Sequence, residues 1–405
     1  MIRFKVDDKN EKNNTMNGID TPYIIMSDAP IYVEINPSVM KWLREDSGWT
    51  QNEIGRRLNI SINLISQWES GHKKPTLNQL RELSKAFKRP LTAFYLPEKL
   101  EERERPPDYR RFGKRDEGLT KEMRFTIRKA QYFQEVCKEM MTNTGKNTKP
   151  IIDRYNPNEK SEKIAKIERE NFGITINDQL NWEDERTALK KWIEVFEQKN
   201  ICVFSFPMDD GNLRGFTLQD FEPYTIVINS SEIPQARIFT LFHEYAHILL
   251  GISALCLPMM SITNPTTHIE KIEDWCDNFA GAFLLPKENI PEDIFPINMK
   301  NITKLSNQFK VSKSMVATRL RIYNLILDDE YKLIIDALQR ADSLNKTDED
   351  GGGGEFPERK ALRQKGKLFC SLVLQNIANN RITDSTALDY LEIKLKSIDN
   401  LQKLL

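Results

Sequence analysis

The stretch "TLFHEYAHILLG" (240–251) constrains this chain most, because it sets two of only four histidines, His243 and His247, four residues apart around Glu244. On a helix such a pair lies about one turn apart, roughly 5–6 Å between Cβ atoms, and can bite one ion together. Glu244 lies beside them, able to reach a water on that ion without being a ligand. A catalytic zinc needs a third protein ligand and one open position. Some zinc sites find it in a histidine six residues beyond the second, but Ser253 stands there. Downstream, "IEDWCDNFAGAFLLP" (272–286) puts Glu273 and Asp277 four apart on one helical face. Glu273 can be the third ligand, and Asp277 can accept the free N–H of a ligand imidazole and so orient its ring. The 25 residues between His247 and Glu273 allow the two helices to converge. For Glu273 to serve as that ligand, the helix bearing both histidines has to pack against the one bearing the acid.

The surroundings agree. Strand-like runs occur at "ICVFSF" (201–206), "RGFTLQ" (214–219) and "YTIVIN" (224–229), and a helix begins after Pro234. "IVIN" reads as an edge strand able to pair with an extended peptide. Further helices are expected at about 270–285 and 301–341. Cys276 reads as a core residue. His268, amid "NPTTH", reads as an exposed loop residue, with oxyanion stabilisation as its alternative role.

The E-x-x-x-D arrangement after HExxH resembles that of the thermolysin-like zinc peptidases. More specifically, "IFTLFHEYAHILLG" with "EDWCDNFAGAFLLP" resembles the ImmA/IrrE family of intracellular metallopeptidases over roughly 190–290. The resemblance implies an α+β zincin-like domain with one Zn2+ per chain. His243, His247 and Glu273 would be its ligands and Glu244 the general base.

A second constellation lies upstream. "WTQNEIGRRLNISINLISQWESGHKKPT" (49–76) has the layout of two short helices joined by a tight turn. Thr50 and Ser61 are the expected caps. Ile54 and Leu58 face inward on the first helix, and Ile65 and Trp68 on the second. Ile62, Asn63, Ser66 and Gln67 are left facing outward, where amide side chains suit adenine. Residues 36–98 hold ten Lys/Arg against six Asp/Glu, while the whole chain balances at 59 of each. Lys73 and Lys74, in "GHKKP", would sit near phosphates, with His72 on the same basic edge. The stretch resembles the XRE/Cro-repressor family over some 60 residues. By that resemblance Gln51 contacts phosphate, and Asn63 and Gln67 reach base edges. Gly55 departs from the usual alanine, at a helix cost of up to ~1 kcal/mol. A single copy implies that a homodimer supplies the second half-site of a double-stranded DNA operator.

The expected fold class is multidomain and mainly α: an all-α helix-turn-helix head, an α+β zincin-like peptidase domain and a C-terminal helical unit. The expected boundaries are a partly ordered leader at 1–30, the helix-turn-helix domain at 31–98 and a helical linker region at 99–185. The peptidase domain follows at 186–300, then a helix-turn-helix-like docking segment at 301–347 ("NITKLSNQFKVSKSMVATRLRIYNLI"). In that segment Leu305, Phe309, Val316, Leu320 and Ile322 serve a core. A Gly-rich joint, "DEDGGGG", and a helical domain fill 348–405. "PPDYRRFGKR" (106–115) reads as a solvated linker. Five scattered cysteines without CxxC argue against a disulfide framework or a cysteine-rich zinc knot. No apolar run approaches the ~18–20 residues of a spanning helix, so a cytoplasmic protein with no membrane partner is expected.

Two functions remain open on these residues. One is a DNA-binding regulator whose zinc endopeptidase cleaves a repressor or antitoxin-like partner in stress response or mobile-element control. The other is a transcription factor or antitoxin whose zinc site is structural or senses metal.

Overall fold

The computed structural model describes residues 30–99, 120–208, 213–252, 255–256, 268–345 and 355–405. The leader up to residue 29, the "PPDYRRFGKR" run and the "DEDGGGG" tract lie outside the described residues. The chain divides into two compact units: residues up to Leu43 with Gln51–Lys99, and Arg44–Thr50 with everything from Leu100 onward. No helix among the described residues is long and apolar enough to cross a membrane.

The first unit is helical: α1 (Pro37–Asp46) as far as Leu43, α2 (Gln51–Leu58), α3 (Ile62–Glu69), α4 (Leu77–Phe87) and a 3-10 turn at Leu91–Tyr95. Ser61 starts α3, its hydroxyl accepting the Leu64 N–H, and Thr76 with Gln79 forms a capping box on α4. Ile54, Ile65, Trp68, Leu80, Leu83 and Phe87 fill the core, while Leu58 is only half-buried. Gly55 has a packing reason. A Cβ there would stand 3.0 Å from the Ile60 carbonyl oxygen and 3.4 Å from Ile65 Cδ1, so its absence lets the turn close against α2.

The second unit begins with α5 (Lys121–Asn143), α6 (Ser161–Phe172), α7 (Ile176–Asn181) and α8 (Glu185–Gln198). Strands β1 (Cys202–Phe206), β2 (Gly215–Leu218) and β3 (Thr225–Asn229) lead into α9 (Pro234–Leu250), followed by the short β4 (Leu255–Cys256). Then come α10 (His268–Leu284), α11 (Met299–Phe309), α12 (Lys313–Ile322), α13 (Asp328–Asn345), α14 (Pro357–Ala378), α15 (Asp384–Leu391) and α16 (Ile398–Leu404). The strand order is β1-β3-β2-β4, with β1 parallel to β3 and the other pairs antiparallel. The expectation that "IVIN" forms a sheet edge is therefore wrong. β3 is hydrogen-bonded on both sides and every residue of it is buried, as β-branched residues on both faces of an interior strand require.

Side-chain alternation splits the sheet between two cores. Val203, Ile226 and Ile228 face one layer with α8 and α9; Cys202, Phe204, Phe206, Phe216, Leu218 and Val227 face the other with α5 and α14. The C-terminal helices are thus part of this unit rather than a domain of their own: Phe369, Leu372 and Val373 complete the second core. Nor is the stretch expected as a linker merely a connector. Ile164, Ala165 and Phe172 of α6 enter the first core beside α10, and Gln134 of α5 donates to the carbonyls of Leu218, Phe221 and Pro223 around the β2–β3 connection. In the expected docking segment, α11 and α12 give Leu305, Phe309, Val316 and Leu320 to that first core, with Ser312 capping α12; Ile322, expected inside, is exposed.

Candidate metal centre and nucleic-acid interface

α9 begins with Pro234 in its first turn, whose fixed φ suits that position, and ends on Gly251 at φ 71°. It is buried almost all round because the sheet lies on one side and α8 and α10 on others. Its end is held from outside: the Arg154 guanidinium donates to the Ile248 carbonyl and the Tyr155 N–H to that of Leu249. On its back face the Tyr245 hydroxyl donates to Glu168 Oε2 at 2.5 Å, while Tyr155 donates to Oε1 of the same buried carboxylate at 2.8 Å. These contacts fix how α9 is turned, and so which way its histidines face.

They face α10. His243 and His247 approach through Nε2 at 3.2 Å, and Glu273 lies 3.3 Å from the first through Oε2 and 3.4 Å from the second through Oε1. All three residues are buried, and each offers an atom within 4.8 Å of the others. Ligand atoms about 2.0–2.1 Å from a tetrahedral zinc stand roughly 3.3–3.4 Å apart along each edge. The imidazole nitrogens stand near that spacing, and each has a different oxygen of Glu273 at a similar distance, so two imidazoles and one carboxylate form a triangle around one position, and both groups are donors zinc accepts. On this test the residues fit the ion.

Asp277 also falls where the sequence puts it, its Oδ1 2.7 Å from His243 Nδ1. With Nδ1–H donated to that carboxylate, Nε2 presents its lone pair to the triangle. Burial disfavours a charged His243 ring, but Asp277 and Glu273 outweigh it and raise the group to about 9. The Nδ1 of His247 faces the sulfur of Cys276 at 3.7 Å. Glu244 is fully buried. Its carboxylate lies against β2 where Gly215 has no side chain; a Cβ there would come within 3.1 Å of Glu244 Oε1. His268 is the first residue of α10 rather than a loop residue, and it is exposed as expected.

In the first unit Ile62, Asn63 and Ser66 are exposed along the start of α3, and Gln67 is half-buried. Gln51 donates to Glu69 Oε2 at 2.8 Å, which ties the first residue of α2 to the last of α3. Lys73 is exposed, and Lys74 pairs with Glu34 at 3.1 Å on an open surface, a contact worth little in water.

Three supporting groups were not foreseen. Gly215 had a signal, since glycine inside a strand marks close backbone approach. Glu168 and Arg154 had none, because nothing local distinguishes an acid in "SEKIAKIERENF" from its solvated neighbours.

Residues 40–94 match the helix-turn-helix family model, and residues 196–321 match that of the IrrE N-terminal-like domain, a peptidase family. The second match runs from α8 through α12 and encloses the His–His–Glu cluster. Comparisons with curated proteins and with solved structures give no match. The chain carries a DNA-binding helix-turn-helix domain followed by an IrrE-like peptidase domain.

Proposed function

We propose that this chain is a DNA-binding regulator that carries a zinc-dependent endopeptidase. The observation that carries the reading is the buried cluster in which His243 Nε2 and His247 Nε2 stand 3.2 Å apart and the Glu273 carboxylate lies 3.3 Å from the first through Oε2 and 3.4 Å from the second through Oε1. These three residues hold one Zn2+. When bound, the ion supplies Lewis acidity, which acidifies water and polarises a peptide carbonyl. Glu244 takes the proton from the attacking water and delivers it to the leaving amine nitrogen. Asp277 keeps His243 in the tautomer that presents Nε2 inward, and the enclosing core shields the Glu244 and Glu273 carboxylates from bulk water.

On the head, Asn63 and Gln67 read base edges, Ile62 and Ser66 line the same face, and Gln51, Lys73 and Lys74 contact phosphate. A second copy of the chain supplies the other half-site. The protein substrate is a repressor or antitoxin-like partner, cleaved in the cytoplasm in stress response or mobile-element control.

Elemental analysis with Glu244→Gln and Glu273→Ala tests this. The wild type should carry one zinc per chain, Glu273→Ala should lose it, and Glu244→Gln should keep it while abolishing cleavage. Zinc held unchanged after Glu273→Ala would sink the ligand assignment. Cleavage unchanged by Glu244→Gln would return the chain to a transcription factor or antitoxin with a structural or sensing metal.

A further inference from the structure

The second core, on the sheet face away from α9, brings together two thiols that the proposed chemistry does not use. Cys137 lies in α5 and Cys202 opens β1, and their Sγ atoms stand 2.7 Å apart. Both are buried, at 0 % and 2 % exposure. A covalent S–S bond measures about 2.05 Å, so only a sub-ångström movement separates this pair from bonding distance. The helix and the strand belong to one packed unit, with Phe133, Met141 and Phe204 in the same cluster, so the approach is held by the core around it.

We propose that Cys137 and Cys202 form an oxidation site, a dithiol that a hydroperoxide converts to a disulfide joining α5 to β1. One sulfur attacks the peroxide O–O bond and takes a hydroxyl to give a sulfenic acid, and the other oxygen leaves as water when the peroxide is hydrogen peroxide. The second sulfur then attacks the first, the S–S bond forms, the S–O bond breaks and another water leaves. Two electrons pass from the sulfur pair to the peroxide.

Enclosure governs the rate. The neighbouring Cys137 thiol and burial hold the Cys202 thiol well above its ordinary range, so thiolate is scarce while the core is closed. Reaction waits for α5 to lift locally from the sheet. The same enclosure shields the finished bond from thiol reductants, which makes it a durable cross-link rather than a fast toggle. The bond closes a loop containing α6, α7 and α8, and so restricts the unfolded chain more than the folded one. None of this depends on peptide cleavage.

The test uses the full-length protein, reduced, desalted and exposed to hydrogen peroxide near its unfolding onset, then alkylated in denaturant and digested. Mass spectrometry should find a Cys137–Cys202 cross-linked peptide among the five cysteines, and the melting midpoint should rise by several degrees. Cys137→Ala and Cys202→Ala should each lose both the peptide and the rise. The proposal is overturned by a cross-link between another pair, by sulfinic acid at either residue without a link, or by wild-type thiols that stay unlinked. The wild-type peptide map decides even if a variant folds poorly.

Discussion

Gly215→Ala is the sharpest probe of how the sheet meets the helix of the candidate site. An added Cβ would lie 2.6 Å from Thr240 Cγ2, 2.9 Å from the Val227 carbonyl oxygen and 3.1 Å from Glu244 Oε1. Ordinary contact begins at 3.4 Å, so β2 and α9 must part by about 0.8 Å. One obstacle is backbone of the neighbouring strand and cannot swing aside. Two effects oppose each other. Alanine stabilises by about 0.5–1 kcal/mol through the reduced freedom of the unfolded chain, whereas overpacking costs typically 1–3 kcal/mol. With two contacts under 3.0 Å, overpacking should win, for a net loss of about 1–2 kcal/mol. Urea unfolding should show a lower midpoint at unchanged slope. Thr240→Ser removes the nearest atom, so added to Gly215→Ala it should restore at least about 0.5 kcal/mol, a coupling that a double-mutant cycle resolves. Zinc content should hold, because none of the three proposed ligands is among the atoms displaced. Cleavage should fall by up to ~100-fold, the scale of a 1 Å misplacement at a reacting group. A Gly215→Ala protein as stable as its parent, with no coupling to Thr240, refutes the apposition.

Other expectations concern the ion and the head. Asp277→Asn should weaken zinc binding by about 10–100-fold without displacing a ligand, measured by competition with a chromogenic chelator; an unchanged affinity removes the orienting role. His243 is raised to about 9, above the ordinary 6.5. Its charged ring therefore stabilises the metal-free fold fully below about 6.5, and that contribution fades as pH rises through about 9. Zinc must displace the same proton, so apparent affinity should climb roughly tenfold per pH unit up to about 9 and then level off; a flat profile between pH 7 and 9 contradicts this. In the head, Asn63→Ala should weaken operator binding by about 1–3 kcal/mol and relax specificity at one base. Lys73→Ala should weaken all sequences alike and flatten the salt dependence. Gel-shift titrations at two salt concentrations separate the two.

Much of the candidate centre was legible because helical periodicity converts spacing into direction. His243 and His247 at i and i+4, and Glu273 and Asp277 likewise, needed only to lie on facing helices, and α9 and α10 do. The same local rule found the Ser61 cap and the buried Ile65 and Trp68 stripe. Strand order was a different matter. "YTIVIN" announces a strand but not its neighbours, since pairing is decided by distant segments; β1 and β2 close over β3 from both sides, and that turned an expected edge into an interior strand. Layering failed for the same reason. The glycine tract suggested a boundary, yet the amphipathic helices beyond it had no partner of their own and found one in the bare face of the sheet, through Phe369 and Leu372. Glu168, reaching Tyr245 across two helices, could not be read from either segment.

The lodging of α14 against the sheet bears on how the molecule is made. On the ribosome, β1, β2 and β3 emerge long before residues 357–378, and until those arrive Phe204, Phe206 and Phe216 have, among the helices of the described residues, α5 alone to cover them. A nascent chain can therefore carry both motif helices while its central layer is still half-clad. Completion of the body that bears Glu244 then belongs to the period after most of the polypeptide has been synthesised, and a premature stop before α14 would leave an aromatic face open to chaperones and proteases.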